Sequence, residues 1–493
     1  MFGGSYGGQS QFAVAGIDPR VDTIVPSITW NDLAYSLAPN NTSFSNGVSY
    51  ETPGVEKFDW VSLFFAVGLV NGASGLQNDP KRNVGCPNFD DRACVAKAQL
   101  DAEGAPNAAT IAFARHASVS SYIDAIRIPT LLAQGQADTL FNLQESIATF
   151  RSLRARGVPA KMIWQSHGHS DSSPEPGELR IDSTDTYQGR TFLAWFDHYL
   201  KDAPAKPSLD ISYFRDWVDY GAAKLPVPDA TPAFARSAGY PVAPSRRLFL
   251  SSTNALVGDA GSVVAGTSVF GAVTGGATSF TEVSAIDQTP PVTDVPGSFA
   301  QYSTPPLADD TDVVGVPTAE FRISAPARAA AGSASVPQLL AVFVKLYDIA
   351  PDGTITLKRR LISPTRVADQ TVPVKVELPG IVHRFAKGHR IALTISTGDT
   401  AYRTNNVTGP VSITTDPARP GVLELPVASP AGQEPVVEAR APGNARCGSR
   451  RKFRVTVKRS LRARVRSGRV LVNASAWRRC VAGVRARWST CAR

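Results

Sequence analysis

A serine flanked by glycines near the start of the chain is the feature that most constrains the fold. Gly3-Gly4-Ser5-Tyr6-Gly7 carries the pattern G-x-S-x-G, which is typical of a nucleophile elbow, a tight turn between a β-strand and an α-helix. Glycines leave room where the backbone is strained, so that the serine hydroxyl stands clear of a parallel sheet. The alternative is a flexible glycine-rich segment, because the pattern alone is common. Partner residues later in the chain must decide between the two.

Such partners follow two predicted strands. Residues 126–133 form an apolar run that leads to Asp138, and residues 161–164 form a shorter strand that leads to His167 and His169. Helical patterns alternate with these strands at residues 9–15, 143–156 and 184–201. The chain order Ser, Asp, His on alternating strands and helices is that of an α/β hydrolase.

These residues supply the parts of an acyl-transfer site. Ser5 would attack the substrate, a histidine at position 167 or 169 would take its proton, and Asp138 would orient that histidine. The backbone N–H of Tyr6, the residue after the nucleophile, would donate to the oxyanion. Asp138 also fits a simpler role as a helix N-cap.

The histidines allow a second interpretation. His167-Gly168-His169-Ser170-Asp171 has the spacing H-x-H-x-D of a binuclear zinc site, but Ser172 stands where that motif needs another histidine. We therefore favour the triad and predict no metal. His116 and His198 lie in helical segments and are expected to be structural.

The predicted α/β domain comprises residues 1–33 and 125–203. Residues 34–124 read as a helical cap inserted over the active site, with helices at 58–70 and 93–116. Trp30 follows a predicted strand at residues 21–28, where open α/β sheets place substrate contacts. It is a candidate for substrate binding, either as a pocket wall or as a rim aromatic.

The rest of the chain has a different composition. Residues 204–427 consist of short strand patterns separated by turn residues, which predicts a β-sandwich of the jelly-roll type. A linker rich in proline and alanine is predicted at 428–445, and a basic tail at 446–493, with alternation at 452–472 and no regular pattern beyond 473.

The charge is concentrated in that tail. It holds 16 of the 51 Lys and Arg residues and no acidic residue, which leaves 35 basic against 42 acidic residues elsewhere. A cationic tail suits an anionic surface, and nothing in it predicts specific nucleic-acid binding.

Five cysteines are present, of which Cys86 and Cys94 are close enough to form a small disulfide loop; two free thiols are the alternative. A disulfide would favour an exported protein. The chain opens in glycines rather than in a signal peptide, so we expect secretion only if a signal was lost with the N-terminus.

Several stretches carry a resemblance to a known family. They are Gly3-Gly4-Ser5-Tyr6-Gly7-Gly8, residues 118–131, Gln134-Gly135-Gln136-Ala137-Asp138, residues 195–200, residues 344–353 and Phe385-Ala386-Lys387-Gly388-His389-Arg390 with the apolar strand after it. Through them, residues 2–426 resemble the Xaa-Pro dipeptidyl-peptidase and cocaine-esterase-like (CocE/NonD) serine hydrolases.

The resemblance implies an α/β hydrolase with a C-terminal jelly roll, a small peptide or ester as substrate, and no metal or organic cofactor. Carried over by position, Ser5 is the nucleophile, Asp138 the acid and His169 the base, with His167 as second choice. Because His167 lies two residues from the base, we expect it to replace His169 in part.

Family members also carry a long segment before the elbow, which provides the first strands and a tyrosine that completes the oxyanion hole. The resemblance therefore implies an N-terminally truncated domain that lacks those strands. One oxyanion donor is worth about 3 kcal/mol of transition-state stabilisation. The leading prediction is a serine hydrolase; the alternative is a catalytically inactive fragment that binds a surface or polysaccharide through its β-sandwich. The oligomeric state is left open.

Overall fold

The computed structural model of this chain describes eleven stretches of the sequence. They are residues 1–42, 52–75, 79–80, 84–180, 183–222, 228–272, 294–332, 335–403, 409–429, 467–472 and 475–481. The chain divides into two units, residues 1–437 and 438–493, which are described separately below.

A six-stranded sheet forms the first part of the larger unit. Its strands lie side by side in chain order, the first five parallel and the sixth antiparallel. They are β1 (Phe2–Gly4), β2 (Val25–Ser27), β3 (Thr130–Gly135), β4 (Ala160–Gln165), β5 (Ile211–Phe214) and β6 (Phe234–Ser237). Every residue of β3 and β4 is buried, as expected for parallel strands covered on both faces.

Within the described residues, seven α-helices accompany this sheet. They are α1 (Tyr6–Ile17), α2 (Leu33–Leu37), α3 (Phe58–Gly75), α4 (Asp91–Glu103), α5 (Ala108–His116), α6 (Leu143–Ala155) and α7 (Tyr187–Lys201). Apolar residues of α1 and α6 pack on one face of the sheet, and those of α7 pack on the other. Helices α2 to α5 occupy the predicted insertion between β2 and β3.

Three expectations about these elements need correction. The strand before the elbow is present as β1, because three residues suffice to pair in parallel with β2. The predicted helix at 93–116 is two helices, since Gly104 ends α4 in a left-handed conformation (φ 64°). Asn107 then caps α5 through the N–H of Thr110.

The third correction concerns the boundary at residue 203. Strands β5 and β6 belong to the first sheet, which therefore extends to Ser237 instead of ending before residue 204. All four residues of β5 are buried. A short apolar run of this kind fits an inner strand of either sheet, so the sequence could not assign it.

The β domain follows. An eleven-stranded hydrogen-bonded sheet contains all its strands except β11 and β16, which pair with each other. The strands are β7 (Ser245–Ser251), β8 (Ala255–Val257), β9 (Gly266–Ala272), β10 (Phe299–Ser303), β11 (Thr311–Gly315), β12 (Thr318–Ser324), β13 (Leu340–Ile349), β14 (Ile355–Val367), β15 (Val374–Glu377), β16 (Ile381–Phe385), β17 (Arg390–Ser396), β18 (Gly409–Thr415) and β19 (Val422–Pro426). One short helix, α8 (Pro326–Gly332), lies between β12 and β13.

A buried ion cluster links three segments of this domain. The Lys345 ammonium lies 2.6 Å from a carboxylate oxygen of Asp294 and 3.0 Å from one of Asp399, and Tyr347 donates to Asp294 at 2.7 Å. Burial alone would lower the pKa of Lys345, but the two carboxylates raise it, so the ammonium stays charged.

The β domain is joined to the α/β part by buried hydrogen bonds. The Gln144 side chain at the start of α6 donates to the carbonyl of Leu378 (2.7 Å) and accepts from the N–H of Gly380 (3.0 Å). The buried Arg366 guanidinium donates to carbonyls of Gly54 and Gly104 in the cap. All four hydrogen bonds are buried. Those of Gln144 join α6 to the β domain, and those of Arg366 join the cap to the β domain.

In the smaller unit, β20 (Ser467–Val472) and β21 (Ser475–Val481) form an antiparallel hairpin. The regular strand at 475–481 corrects the expectation that no pattern continues beyond residue 473. The rest of the basic tail, and the predicted linker beyond residue 429, lie outside the described residues. Within the part of the chain that the structure describes, none of the helices is long and apolar enough to span a bilayer.

Cys86 and Cys94 form a disulfide, with their Cα atoms 5.7 Å apart. The bridge joins the segment before α4 to the first turn of that helix and so closes a loop. Within that loop the Asn88 side chain donates to the Gly68 carbonyl (2.7 Å) and Phe89 stacks on Phe65 of α3 (4.9 Å). The disulfide thereby holds the loop against α3.

We predict that C86A/C94A lowers the free energy of unfolding by about 2.5 kcal/mol, the chain-entropy value for so short a loop. Urea denaturation followed by tryptophan fluorescence would measure it. The wild-type protein unfolded under reducing conditions is the control and should match the variant. Equal midpoints for the oxidised wild type and the variant would show that the bridge does not stabilise the fold.

Candidate active site

Ser5 occupies the turn between β1 and α1. Its backbone has φ 54° and ψ −122°, a conformation that is costly for a residue with a side chain. Hydrogen bonds hold it there: the Ser5 N–H donates to Ser27 of β2 (2.9 Å), and its carbonyl accepts from the hydroxyl of Thr29 (3.0 Å) and the N–H of Gln9 (3.0 Å). The G-x-S-x-G segment thus has the strained geometry of an elbow.

The glycines around Ser5 do not contribute equally. A Cβ on Gly8 would lie 2.9 Å from the Thr29 Cβ, and one on Gly3 would lie 3.3 Å from the backbone of Gly7. A Cβ on Gly7 would meet nothing within 4 Å. Gly8, which lies outside the pattern, is therefore the glycine with the tightest steric requirement.

The loops after β3 and β4 bring Asp138 and His169 to Ser5. His169 Nε2 lies 2.9 Å from Ser5 Oγ, and His169 Nδ1 lies 2.8 Å from Asp138 Oδ2. The other carboxylate oxygen of the fully buried Asp138 accepts from the N–H of Phe141 (2.7 Å). The three side chains form a continuous chain of hydrogen bonds across three strand ends.

Two glycines permit this approach. A Cβ on Gly168 would lie 2.6 Å from the Asp138 Cβ and 2.7 Å from the Ala137 carbonyl oxygen. A Cβ on Gly135 would lie 2.3 Å from the His167 carbonyl oxygen. Any larger residue at either position would separate the loops that carry Asp138 and His169.

The protonation of His169 is set by two opposing effects. Burial alone would lower its pKa, but the charge of Asp138 and the hydrogen bond to it raise the pKa of His169 above the ordinary value. His169, which Asp138 makes more basic, therefore lies within hydrogen-bond distance of the Ser5 hydroxyl.

His167 has a different partner. Its Nδ1 lies 3.3 Å from Oε2 of the buried Glu178, which also accepts from the N–H of Ser166 (2.8 Å) and from its hydroxyl. Because His167 is directed to Glu178 and His169 to Asp138, the two do not converge as the H-x-H-x-D pattern would require. Among the described residues, no group of three or more His, Cys, Asp or Glu side chains is placed to hold a metal ion.

Aromatic rings surround His169. Phe141 and Trp60 both contact its ring edge to face, with centroids 5.1 and 6.2 Å away. Trp30 is 3% exposed; its ring packs 5.0 Å from Phe141 and 5.6 Å from Tyr6, and its N–H donates to Ala117 (2.9 Å). Such burial excludes an exposed rim position for Trp30, and its proposed role in substrate binding stays a prediction.

The cap is attached to the same loop. Trp60 donates to the Thr139 hydroxyl (3.1 Å), and the buried Lys57 ammonium donates to the carbonyls of Thr139 and Leu140. These bonds fix the start of α3 beside the loop that carries Asp138.

A buried acidic side chain holds the segment that follows Trp30. Glu145 of α6 accepts from the N–H groups of Asn31 (2.7 Å) and Asp32 (3.1 Å) and from the hydroxyl of Ser36. Burial is the main reason that the pKa of Glu145 is raised to about 8. Its hydrogen bonds fix the segment that follows Trp30.

Sequence reasoning identified Ser5, Asp138 and His169 but missed Glu178, Glu145, Phe141 and Trp60. Phe141 alone had a usable signal, since it stands three residues after Asp138 in a strand-end loop. Glu178, Glu145 and Trp60 come from segments whose approach to the site no spacing reveals. His198 has the expected structural role, with Nδ1 2.9 Å from the Ala203 carbonyl oxygen.

Comparison with known proteins gave matches to families and to solved structures. The family model described as X-Pro dipeptidyl-peptidase (S15 family) matches residues 1–171, and the model described as X-Pro dipeptidyl-peptidase C-terminal non-catalytic domain matches residues 237–421. The second match begins at the last residue of β6, in agreement with the corrected domain boundary. None of the curated proteins matched.

Similar solved structures include three hydrolases. An aminopeptidase from a marine sediment archaeon, Thaumarchaeota archaeon, is 15% identical with a TM-score of 0.55 and covers 87% of this chain and 76% of its own. An α-amino acid ester hydrolase is 16% identical with a TM-score of 0.56 and the same coverage. A CocE/NonD family hydrolase from Staphylococcus aureus is 15% identical with a TM-score of 0.55 and covers 86% and 71%.

At such identities the solved structures support the fold, an α/β hydrolase followed by a β domain. The two family models carry the assignment further, because they match the segments that hold the elbow, the Asp and His loops and the β domain. This chain belongs to the X-Pro dipeptidyl-peptidase/CocE-like family of serine hydrolases.

Proposed function

We propose that this chain hydrolyses its substrate through an acyl-enzyme, with Ser5 as nucleophile, His169 as general base and Asp138 as the acid that orients it. The observation that carries the proposal is the pair of distances from His169, 2.9 Å to Ser5 Oγ and 2.8 Å to Asp138 Oδ2. Both lie within the range needed for proton transfer and for fixing the imidazole tautomer.

In the proposed reaction His169 Nε2 takes the proton of Ser5 as Oγ attacks the carbonyl carbon. The backbone N–H of Tyr6, at the start of α1, is the proposed donor to the oxyanion, since the first N–H groups of a helix have no intrahelical partner. His169 then protonates the leaving group, and water resolves the ester by the same path in reverse.

Of the two substrate classes, an ester with an apolar acyl group fits the surroundings of His169 better than a peptide with a free amine does. The rings of Trp60 and Phe141 beside His169 favour an apolar group. Three cap carboxylates that could have bound an amine are engaged elsewhere: Asp90 with Arg92, Asp91 with the N–H of Cys86, and Asp101 with Lys97.

The nucleophile can be tested by covalent labelling of the full chain with a fluorophosphonate probe. We predict that the wild type is labelled and that Ser5→Ala abolishes labelling. Ser10→Ala is the matched control, because Ser10 is an exposed serine on the same helix, and it should label as the wild type does. Labelling that persists in Ser5→Ala would falsify the assignment, and a wild type that is never labelled would favour the inactive, surface-binding alternative.

The identity of the base can be tested with matched substitutions. We predict that His169→Gln lowers kcat by about 10⁴-fold or more, whereas His167→Gln, which keeps a donor for Glu178, changes it less than about threefold. The buried pairing of His167 with Glu178 also argues that it does not substitute for His169, contrary to our expectation from spacing. Equal losses in the two variants, measured by ester hydrolysis, would contradict this assignment.

The role of Asp138 predicts a shift in pH dependence. Since Asp138 raises the pKa of His169, Asp138→Asn should lower it and let the imidazole stay neutral at lower pH. The acid limb of the kcat/KM profile should then move to lower pH, while the plateau falls by about 10⁴-fold. An acid limb that stays in place or moves to higher pH would show that Asp138 does not act on the base.

A further inference from the structure

Helix α3 carries an apolar stripe that begins at the candidate active site. Trp60, Phe64 and Val67 are spaced four and three residues apart, so they share one face of the helix, with Val70 at its flank. Asn71 ends the stripe with a polar side chain. The Trp60 and Phe64 rings are in contact, with centroids 6.1 Å apart.

The stripe passes from buried to exposed along its length. Trp60 is 4% exposed, whereas Val67 is 48% and Val70 is 69% exposed. Ala66, Val67, Val70 and Asn71 line a shallow groove of about 310 Å³ at the outer end. Valine side chains so exposed on a helix add nothing to the core, and their apolar surface is costly to leave in water.

The inner end of the stripe is held at the catalytic base. Trp60 contacts the His169 ring and donates to Thr139, next to Asp138 in the chain. From Trp60 to Val70 the helix rises about 15 Å. An extended chain advances by at most about 3.6 Å per three bonds, so this length accommodates roughly a dozen bonds.

We infer that the exposed outer part of this face of α3 is a subsite for a long unbranched acyl chain, which runs outward from the ester carbonyl at Ser5 beside Phe64 to Val67 and Val70. The occupant is the acyl group of the substrate because Trp60, the buried inner end of the stripe, contacts the ring of His169, so the exposed outer end lies within one acyl-chain length of the proposed base. This inference rests on the proposed esterase function and names its substrate class: esters of medium- to long-chain fatty acids.

The test measures kcat/KM of the full chain for p-nitrophenyl esters from acetate to decanoate, at concentrations where each ester is dissolved as single molecules. Complete burial of a methylene is worth about fourfold, so a chain lying on one open face should gain about twofold for each methylene. From butanoate to decanoate the wild type should therefore gain roughly 50-fold.

The test variant is V67N/V70N, since valine and asparagine have similar helix propensities. It should lose about tenfold or more on decanoate and change less than about twofold on acetate. Leu69→Asn is the matched control: Leu69 is 56% exposed and lies half a turn away from Trp60 on the opposite face of the same helix. It should keep the wild-type dependence on chain length.

Each result has one meaning. A wild type with no gain beyond butanoate, or a double variant that keeps the gain, would overturn the subsite. So would a double variant that alters only sedimentation or vesicle binding, since the stripe would then face a second copy or a lipid surface. Failure of the proposed function looks different: no ester is hydrolysed at any chain length, and the probe does not label Ser5.

Discussion

The contact between the loops that follow β3 and β4 is the constraint on which the candidate site depends. The position of a Gly168 Cβ lies 2.6 Å from the Asp138 Cβ, so the two loops touch backbone to side chain with no space between them. This contact places Asp138 against His169, and His169 against Ser5. The proposed triad depends on this contact, because without it Asp138 and His169 would not meet Ser5.

The same loop is the meeting point of the larger unit. Lys57 and Trp60 of the cap bind Thr139, and Gln144 binds Leu378 and Gly380 on the β-domain side. The cap therefore binds the loop after β3, and the β domain binds the start of α6, which follows that loop directly. The family model that matches this domain is described as non-catalytic; in this chain the hydrogen bonds of the domain hold the start of α6, directly after the loop that carries Asp138.

The triad candidates could be predicted because each depends on local chemistry at the end of a strand. Spacing left both His167 and His169 open, and only the family resemblance favoured His169; the structural reason is that Glu178, which folds back from a later segment, pairs with His167. The boundary at residue 203 was wrong for a related reason. An apolar run such as β5 shows that it is buried but not which sheet receives it, because backbone hydrogen-bonding groups are the same in every strand.

The sequence by itself determined the order of the chemical groups: a serine in a glycine-rich turn, then an aspartate, then a histidine, followed by a β-rich domain. Local sterics and residue type suffice for this, since glycine permits the strained turn and apolar runs form buried strands. Only the tertiary structure decided which histidine meets Asp138, that β1 pairs with β2 to support Ser5, and that an apolar face of α3 leads away from His169. Those features depend on contacts between residues far apart in the chain, and side-chain spacing carries no information about such contacts.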